Sequence, residues 1–215
     1  MPSHADRRDR GRVSIDPMSG ELVVGVSGSP SDPSRTSTLV AATVARLGQE
    51  IDDARTETIE IGPLLADLGA SPSREAMSDR TRRALETVEA ADVLVVGSPA
   101  FRAAYSGAFK LFFDWIGQYD LVDTPVLLTA TGGSDRHALL VEHQMRPLFG
   151  FFQSTTLPIG VFGNERDFTK RDGGYDIANV DLELRIDQAV QRALPLIRGG
   201  FATAATTDVR RPADF

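Results

Sequence analysis

Six hydroxyl-bearing residues crowd one short segment of the chain: Ser29, Ser31, Ser34, Thr36, Ser37 and Thr38, with Arg35 among them and Gly28 just before. A phosphate group needs donors, positive charge and a backbone that can come close. Gly28 keeps the backbone unobstructed, and Ser29, Ser34, Thr36 and Ser37 can donate. Arg35 adds a charge-assisted contact. A helix opening here would contribute free amides and the positive end of its dipole. A plainer reading is that these Ser and Thr residues cap the helix, but six exceed what capping requires. The segment lacks both the Gly-Lys-Ser/Thr ending of an NTP-binding loop and the G-x-G-x-x-G of a dinucleotide fold.

A second segment, Gly97 to Lys110, offers flat surfaces in Pro99, Phe101 and Tyr105, as a wall for a planar heterocycle would need. Gly107 lets a helix and a ligand approach each other. The alternative is an ordinary strand-to-helix turn capped by Ser106. In a third segment, Thr131-Gly132-Gly133, two glycines expose amides, a weak signal by itself.

Other chemistries are excluded by what the chain lacks. Without cysteine there are no disulfides, no thiolate nucleophile of the low-molecular-weight phosphatase kind and no Cys-ligated zinc or iron–sulfur centre. Three histidines, His4, His137 and His143, argue against a His-based metal site. No Ser–His–Asp or paired-carboxylate constellation is evident. A formal net charge of −7 argues against nucleic acid or an anionic membrane as the main partner. No apolar run approaches the roughly 20 residues of a membrane span. Residues 1–20 are Arg-rich without the apolar stretch of a signal peptide. They read as a disordered extension in which Met18 is a second possible start, and the protein is expected to be cytoplasmic.

The elements that must position these segments alternate. Apolar, β-rich runs occur at Leu22–Val26, Asp92–Gly97, Pro125–Ala130 and Thr156–Phe162, and a further strand is expected at Arg55–Ile61, where Ile59 and Ile61 alternate with charged residues. Between and after them, helices are expected at Ser34–Gly48, Asp79–Ala91, Ser106–Gln118, Asp135–Gln153 and Val180–Ile197. Pro147 is expected to kink the fourth helix. The polar stretch Gly163–Asn179 is long for a connection. It reads either as a mobile lid or as a disordered surface loop. Five strands alternating with five helical segments define one α/β domain over residues 21–200, with a flexible tail at 201–215. The expected architecture is a doubly wound parallel sheet of five strands, flavodoxin-like, in the order 2-1-3-4-5, with helices on both faces. Ligands bind such sheets at the carboxyl ends of the strands, at the topological switch point, where all three segments fall.

Taken together, the segments resemble the NADPH-dependent FMN reductase family. Most similar are the reductase partners of two-component, alkanesulfonate-type monooxygenases. The likeness rests on Gly28-Ser29-Pro30 with Pro33-Ser34-Arg35, Ala103-Ala104-Tyr105-Ser106-Gly107-Ala108 with Lys110, and Ala130-Thr131-Gly132-Gly133. His137, Arg146-Pro147 and Gly160-Val161-Phe162 also fit. The resemblance implies that the FMN phosphate sits on Ser29, Ser34, Arg35, Thr36 and Ser37. The isoalloxazine would lie against Pro99, Ala100, Phe101 and Arg102, near Tyr105 and Ser106, and the amides of Thr131, Gly132 and Gly133 would face its polar edge. Two departures stand out. Ser31-Asp32 replaces a basic residue common after the Gly-Ser-Pro, which would weaken phosphate affinity, and Phe101 replaces a tyrosine.

The resemblance also places His143 where related reductases carry a residue that bulges a helix at a tetramer interface, a feature tied to flavin release. A satisfied surface histidine is the competing reading. His137, close behind the glycines, is expected to be structural or a helix N-terminal residue rather than a proton donor. The implied reaction is hydride transfer from NADPH or NADH to FMN, with no catalytic side chain because the two bound molecules carry the chemistry. The reduced FMN would pass to a monooxygenase from a homodimer or homotetramer. The alternatives are a quinone- or azo-type reductase that retains FMN, and a non-catalytic flavodoxin-like electron carrier.

Overall fold

A computed structural model describes residues 20–204, with side chains as far as residue 199. The expected N-terminal extension up to residue 19, and the expected C-terminal tail beyond Ala204, lie outside those residues. Strand β1 (Leu22–Ser27) has β2 (Arg55–Glu60) on one side and β3 (Val93–Pro99) on the other, both parallel. β4 (Pro125–Gly132) pairs with β3 and β5 (Thr155–Thr156) with β4, giving the expected order β2-β1-β3-β4-β5. β2 closes one edge, and its residues 55–58 are exposed.

The buried strands alternate with period two between two cores. Val24, Val26, Leu94, Val96, Val126 and Leu128 face one, while Val23, Val93, Val95 and Leu127 face the other. Helix α1 (Arg35–Glu50) and helix α6 (Val180–Ala204) cover the second face. α6 runs past both the expected end at Ile197 and the expected domain limit at residue 200, with Pro195 inside it.

The first face is covered by α2 (Leu65–Ala70), α3 (Asp79–Glu89), α4 (Gly107–Phe113) and α5 (Arg146–Phe151). α2 has no counterpart in the sequence expectation, since six residues bearing Leu65 and Leu68 show too little periodicity. Asp67 of α2 accepts hydrogen bonds from the backbone N–H and hydroxyl of Ser78, the N-cap of α3, at 3.0 and 2.6 Å. Those bonds, led by the hydroxyl, lower the Asp67 pKa to about 2. Phe109 and Phe113 of α4 pack on each other at 4.7 Å between ring centroids and meet Phe149 at 6.3 and 5.1 Å, while Phe112 packs on Phe113 at 5.5 Å and Phe152 meets Phe113 at 6.3 Å. Burying each such ring stabilises the fold by about 1.5–3 kcal/mol.

Three expectations need correction. The helix expected over Ser106–Gln118 ends at Phe113, and Ser106 is its cap. The fifth strand is split into β5 (Thr155–Thr156) and β6 (Val161–Asn164), both paired with β4. Pro158, which has no N–H to donate, lies in the gap. The helix expected over Asp135–Gln153 is a 3-10 turn (Asp135–His137), a π-helical segment (Val141–Met145) and then α5. In the π segment Arg146 N–H reaches back five residues to Val141 O. Pro147 follows in the first turn of α5 and marks this change of winding, where a missing N–H is tolerated.

Candidate active site

The hydroxyl-rich segment folds as the turn between β1 and α1. Ser34 caps α1, its Oγ accepting from Thr36 N at 3.1 Å and Ser37 N at 3.3 Å. Ser29 Oγ both donates to the carbonyl and accepts from the amide of Ser31, at 3.2 Å each, closing the turn. Thr36 and Thr131 share a buried hydroxyl contact of 2.6 Å, which joins this turn to the end of β4. Ser37 is drawn the other way, donating to Glu60 at 2.6 Å and meeting Ser27 at 2.8 Å.

Gly28 does a different job from the one its position implies. Its N–H donates to Gly97 O at 2.7 Å. A methyl group there would fall 2.5 Å from Phe109 Cδ2 and 3.0 Å from that carbonyl. Its smallness therefore lets α4 close on the sheet. Gly107 faces open space instead, since a methyl group on it would meet nothing within 4 Å.

After β3, Arg102 and Ala103 both take positive φ, 53° and 66°, and Phe101 and Ala104 exchange backbone hydrogen bonds across them at 2.8 and 3.1 Å. This two-residue reversal demands a left-handed backbone that neither side chain favours. It leaves Phe101 49% exposed at the mouth of the site. Ala100 N–H donates to Thr131 O at 2.7 Å, tying the loop to β4. Ser106 is the loop's anchor. Its Oγ accepts from Phe109 N and donates to Gly28 O at 2.5 Å, while its own N–H donates to Ser98 Oγ at 2.9 Å. Tyr105 packs on Phe109, with ring centroids 5.8 Å apart.

The three turns converge on a cleft of about 310 Å³ at the strands' carboxyl ends. Ser29, Ser34, Arg35 and Thr36 line it from the first turn, Pro99, Ala100 and Phe101 from the second, and Thr131, Gly132 and Gly133 from the third. Of the residues expected here, Ser37, Arg102, Tyr105 and Ser106 are not in the lining. Ser37 and Ser106 have their hydroxyls engaged as described, and Arg102 lies at the strained reversal. Ser37 lines a neighbouring cavity of about 650 Å³ between α1 and the hairpin described next.

Two lining residues, Glu165 and Tyr175, carried no signal in the sequence. Both come from the stretch expected to be a lid or a disordered loop. That stretch is a 3-10 turn (Glu165–Asp167) followed by an antiparallel hairpin of β7 (Phe168–Arg171) and β8 (Gly174–Ile177). The buried Asp167 carboxylate secures it, accepting from Asn164 N at 2.8 Å, Asn179 Nδ2 at 2.6 Å and Arg185 at 3.1 Å. Tyr175 lies under the Arg35 guanidinium, 4.8 Å from ring centroid to Cζ, and Glu165 pairs with Arg35 Nη2.

The Gly132-Gly133 turn is clasped from behind. Asn164 Nδ2 donates to Asp135 at 2.8 Å, and this amide, aided by Arg166, holds the Asp135 carboxyl below its usual range. His137 backs Gly132, since a methyl group on that glycine would come within 3.1 Å of the imidazole. His143 is exposed in the middle of the π segment. Among the described residues, no group of three or more His, Cys, Asp or Glu side chains is placed to hold a metal ion. No helix among them is long and apolar enough to cross a membrane.

A parallel five-position sheet with its cleft at the switch point defines a flavodoxin-like α/β protein. The family model for NADPH-dependent FMN reductases matches residues 22–169, and the chain belongs to that family. It is 47% identical over 178 residues to an FMN reductase (NADPH) of Pseudomonas aeruginosa, covering 82% of this chain and 92% of that protein. To the NADH-dependent FMN reductase SfnE of Pseudomonas putida it is 45% identical over 174 residues, 81% and 91% of the two chains. Among solved structures, an oxidoreductase from Corynebacterium diphtheriae superposes with a TM-score of 0.71 at 28% identity, covering 84% of this chain and 98% of that one.

The cleft suits FMN on its own chemistry. Arg35 keeps a buried Nε donor without a partner, a group that a phosphate oxygen would satisfy. Around it stand the hydroxyls of Ser29, Ser34 and Thr36, and beyond them the flat Pro99–Phe101 wall.

Proposed function

We propose that the chain is an NAD(P)H-dependent FMN reductase that gives up its reduced FMN to a partner monooxygenase. The observation that carries the reading is the convergence of the hydroxyl-and-arginine turn, the Pro99–Phe101 wall and the Thr131–Gly133 amides on one cleft. In this reading Ser29, Ser34, Arg35 and Thr36 hold the phosphate. Pro99, Ala100 and Phe101 support the ring, and Thr131, Gly132 and Gly133 face its polar edge. Ser37, Arg102, Tyr105 and Ser106 act behind them by fixing the shapes of the two turns. The bound nicotinamide and flavin supply the hydride chemistry. The protein's part is alignment, which is worth several kcal/mol of barrier.

The π segment around His143 supports release over retention, because π-helical turns are costly and recur where function needs them. Exposed Leu139 and Phe151 flank it and suit a subunit contact in a homodimer or homotetramer. We further infer a cytoplasmic location, which suits a chain without cysteine. In this reading the hairpin β7–β8 stands at the phosphate end of the cleft, where Tyr175 meets Arg35, and shortening it is expected to raise the KM for FMN.

Steady-state oxidation of NADPH and NADH by flavin-free protein, with FMN added in excess, tests the function. Turnover that saturates with FMN well beyond one equivalent marks FMN as a substrate. A plateau at one equivalent that then requires a quinone or azo dye would make this an FMN-retaining reductase. An inert protein that still binds FMN would be an electron carrier. Comparing kcat/KM for the two nicotinamides settles their order, which the NADPH- and NADH-dependent relatives leave open.

A further inference from the structure

Among the residues lining the cleft, Arg35 is the one cation and Glu165 the one anion, and they are paired with each other. The FMN phosphate carries close to two negative charges near neutral pH. If Arg35 is its ligand, on which this inference rests, the phosphate and the Glu165 carboxylate seek the same guanidinium. We propose that Glu165 is a built-in competitor for the flavin phosphate, keeping FMN weakly held and quick to leave.

The geometry separates competition from support. A carboxylate can help a phosphate site by orienting an arginine, but Tyr175 already does so here, its ring lying against the guanidinium. The backbone at Tyr175 is in turn held near Thr38, whose hydroxyl hydrogen is shared between Ser34 O at 3.1 Å and Tyr175 O at 3.3 Å. Glu165 thus contributes little besides its charge. Its side chain is 57% exposed, so it can swing into water when the phosphate arrives. It also approaches Gly133 to 3.9 Å, measured from where a methyl group on that glycine would lie, so the charge stands at the edge of the cleft itself. Because Glu165 lies 130 positions from Arg35, the pairing exists only through the fold.

Flavin-fluorescence titrations of flavin-free wild type, Glu165→Gln and Arg35→Gln, each with FMN and with riboflavin, test the idea. Riboflavin has the ring without the phosphate. Glu165→Gln is expected to lower the FMN Kd roughly five-fold, the scale of a half-exposed ion pair. The riboflavin Kd should stay unchanged, and the gain should shrink in high salt. An FMN Kd that stays the same or rises in Glu165→Gln overturns the competitor role, a rise making Glu165 a positioning residue. Arg35→Gln tests the layer beneath. Selective loss of FMN over riboflavin upholds Arg35 as the phosphate ligand. Equal loss of both would show that the phosphate reading, rather than the competition, had failed.

Discussion

Gly28 and Arg35 sit seven residues apart in one turn, yet the structure gives them separable duties. Gly28→Ala would push a methyl group into Phe109, an overpacking cost of about 1–3 kcal/mol. It should lower the melting temperature even without flavin, whereas Arg35→Gln should alter flavin affinity and leave the melting temperature nearly unchanged. Thermal melts of the two variants check this. Ser106→Ala removes both the cap of α4 and the donor to Gly28 O. It is expected to cost about 1–3 kcal/mol, by the loss of a cap and of a buried hydrogen bond. At this scale the sequence was legible wherever a residue acts through its neighbours in the chain. Ser34 as a cap and the hydroxyl-rich turn could be read in that way. Glu165 and Tyr175 could not, since nothing local marks a residue whose partner lies on a distant turn.

The strained reversal at Arg102-Ala103 is an element whose geometry opposes its residues. Ala103→Gly removes the Cβ penalty of a left-handed backbone, about 1 kcal/mol, though part is returned through the freer unfolded chain. A small rise in denaturation midpoint is the expected result, and a fall would mean that the loop relies on the alanine methyl group. The hairpin β7–β8 hangs on Asp167 at its base. Asp167→Asn keeps the shape but loses the charge facing Arg185 and the match to Asn179. Amide exchange should then speed up across 168–177 while β1 and β3 stay protected. Strand and helix types could be read from period-two and 3.6-residue patterning. The hairpin escaped because its residues are mostly exposed and polar, so burial imposes no rhythm on them. The π segment could be anticipated only through the family resemblance at His143, because a single extra residue barely disturbs a helical pattern.

Across the whole molecule, acid sensitivity has one well-defined contributor in Asp67. Its folded pKa of about 2 lies below the ordinary value near 4. The stability it gives is complete above about pH 4 and is lost as the pH falls toward 2. Melts recorded between pH 5 and 2 should show a decline in that window for wild type that is reduced in Asp67→Asn. The sheet order and switch-point cleft could be inferred because five strands alternating with helices admit few right-handed windings. The break in the fifth strand could not, because Pro158 and Gly160 permit either a bend or an end. The opposite edge has a further consequence. Along the free edge at β2 the charged Arg55 and Glu57 are exposed, at a place where another chain's strand could otherwise add itself. Those charges act as a guard against the stacking of one molecule on the next into ribbons. A chain with Val at 55 and 57 would keep its fold and its cleft but should cloud and precipitate as it is concentrated.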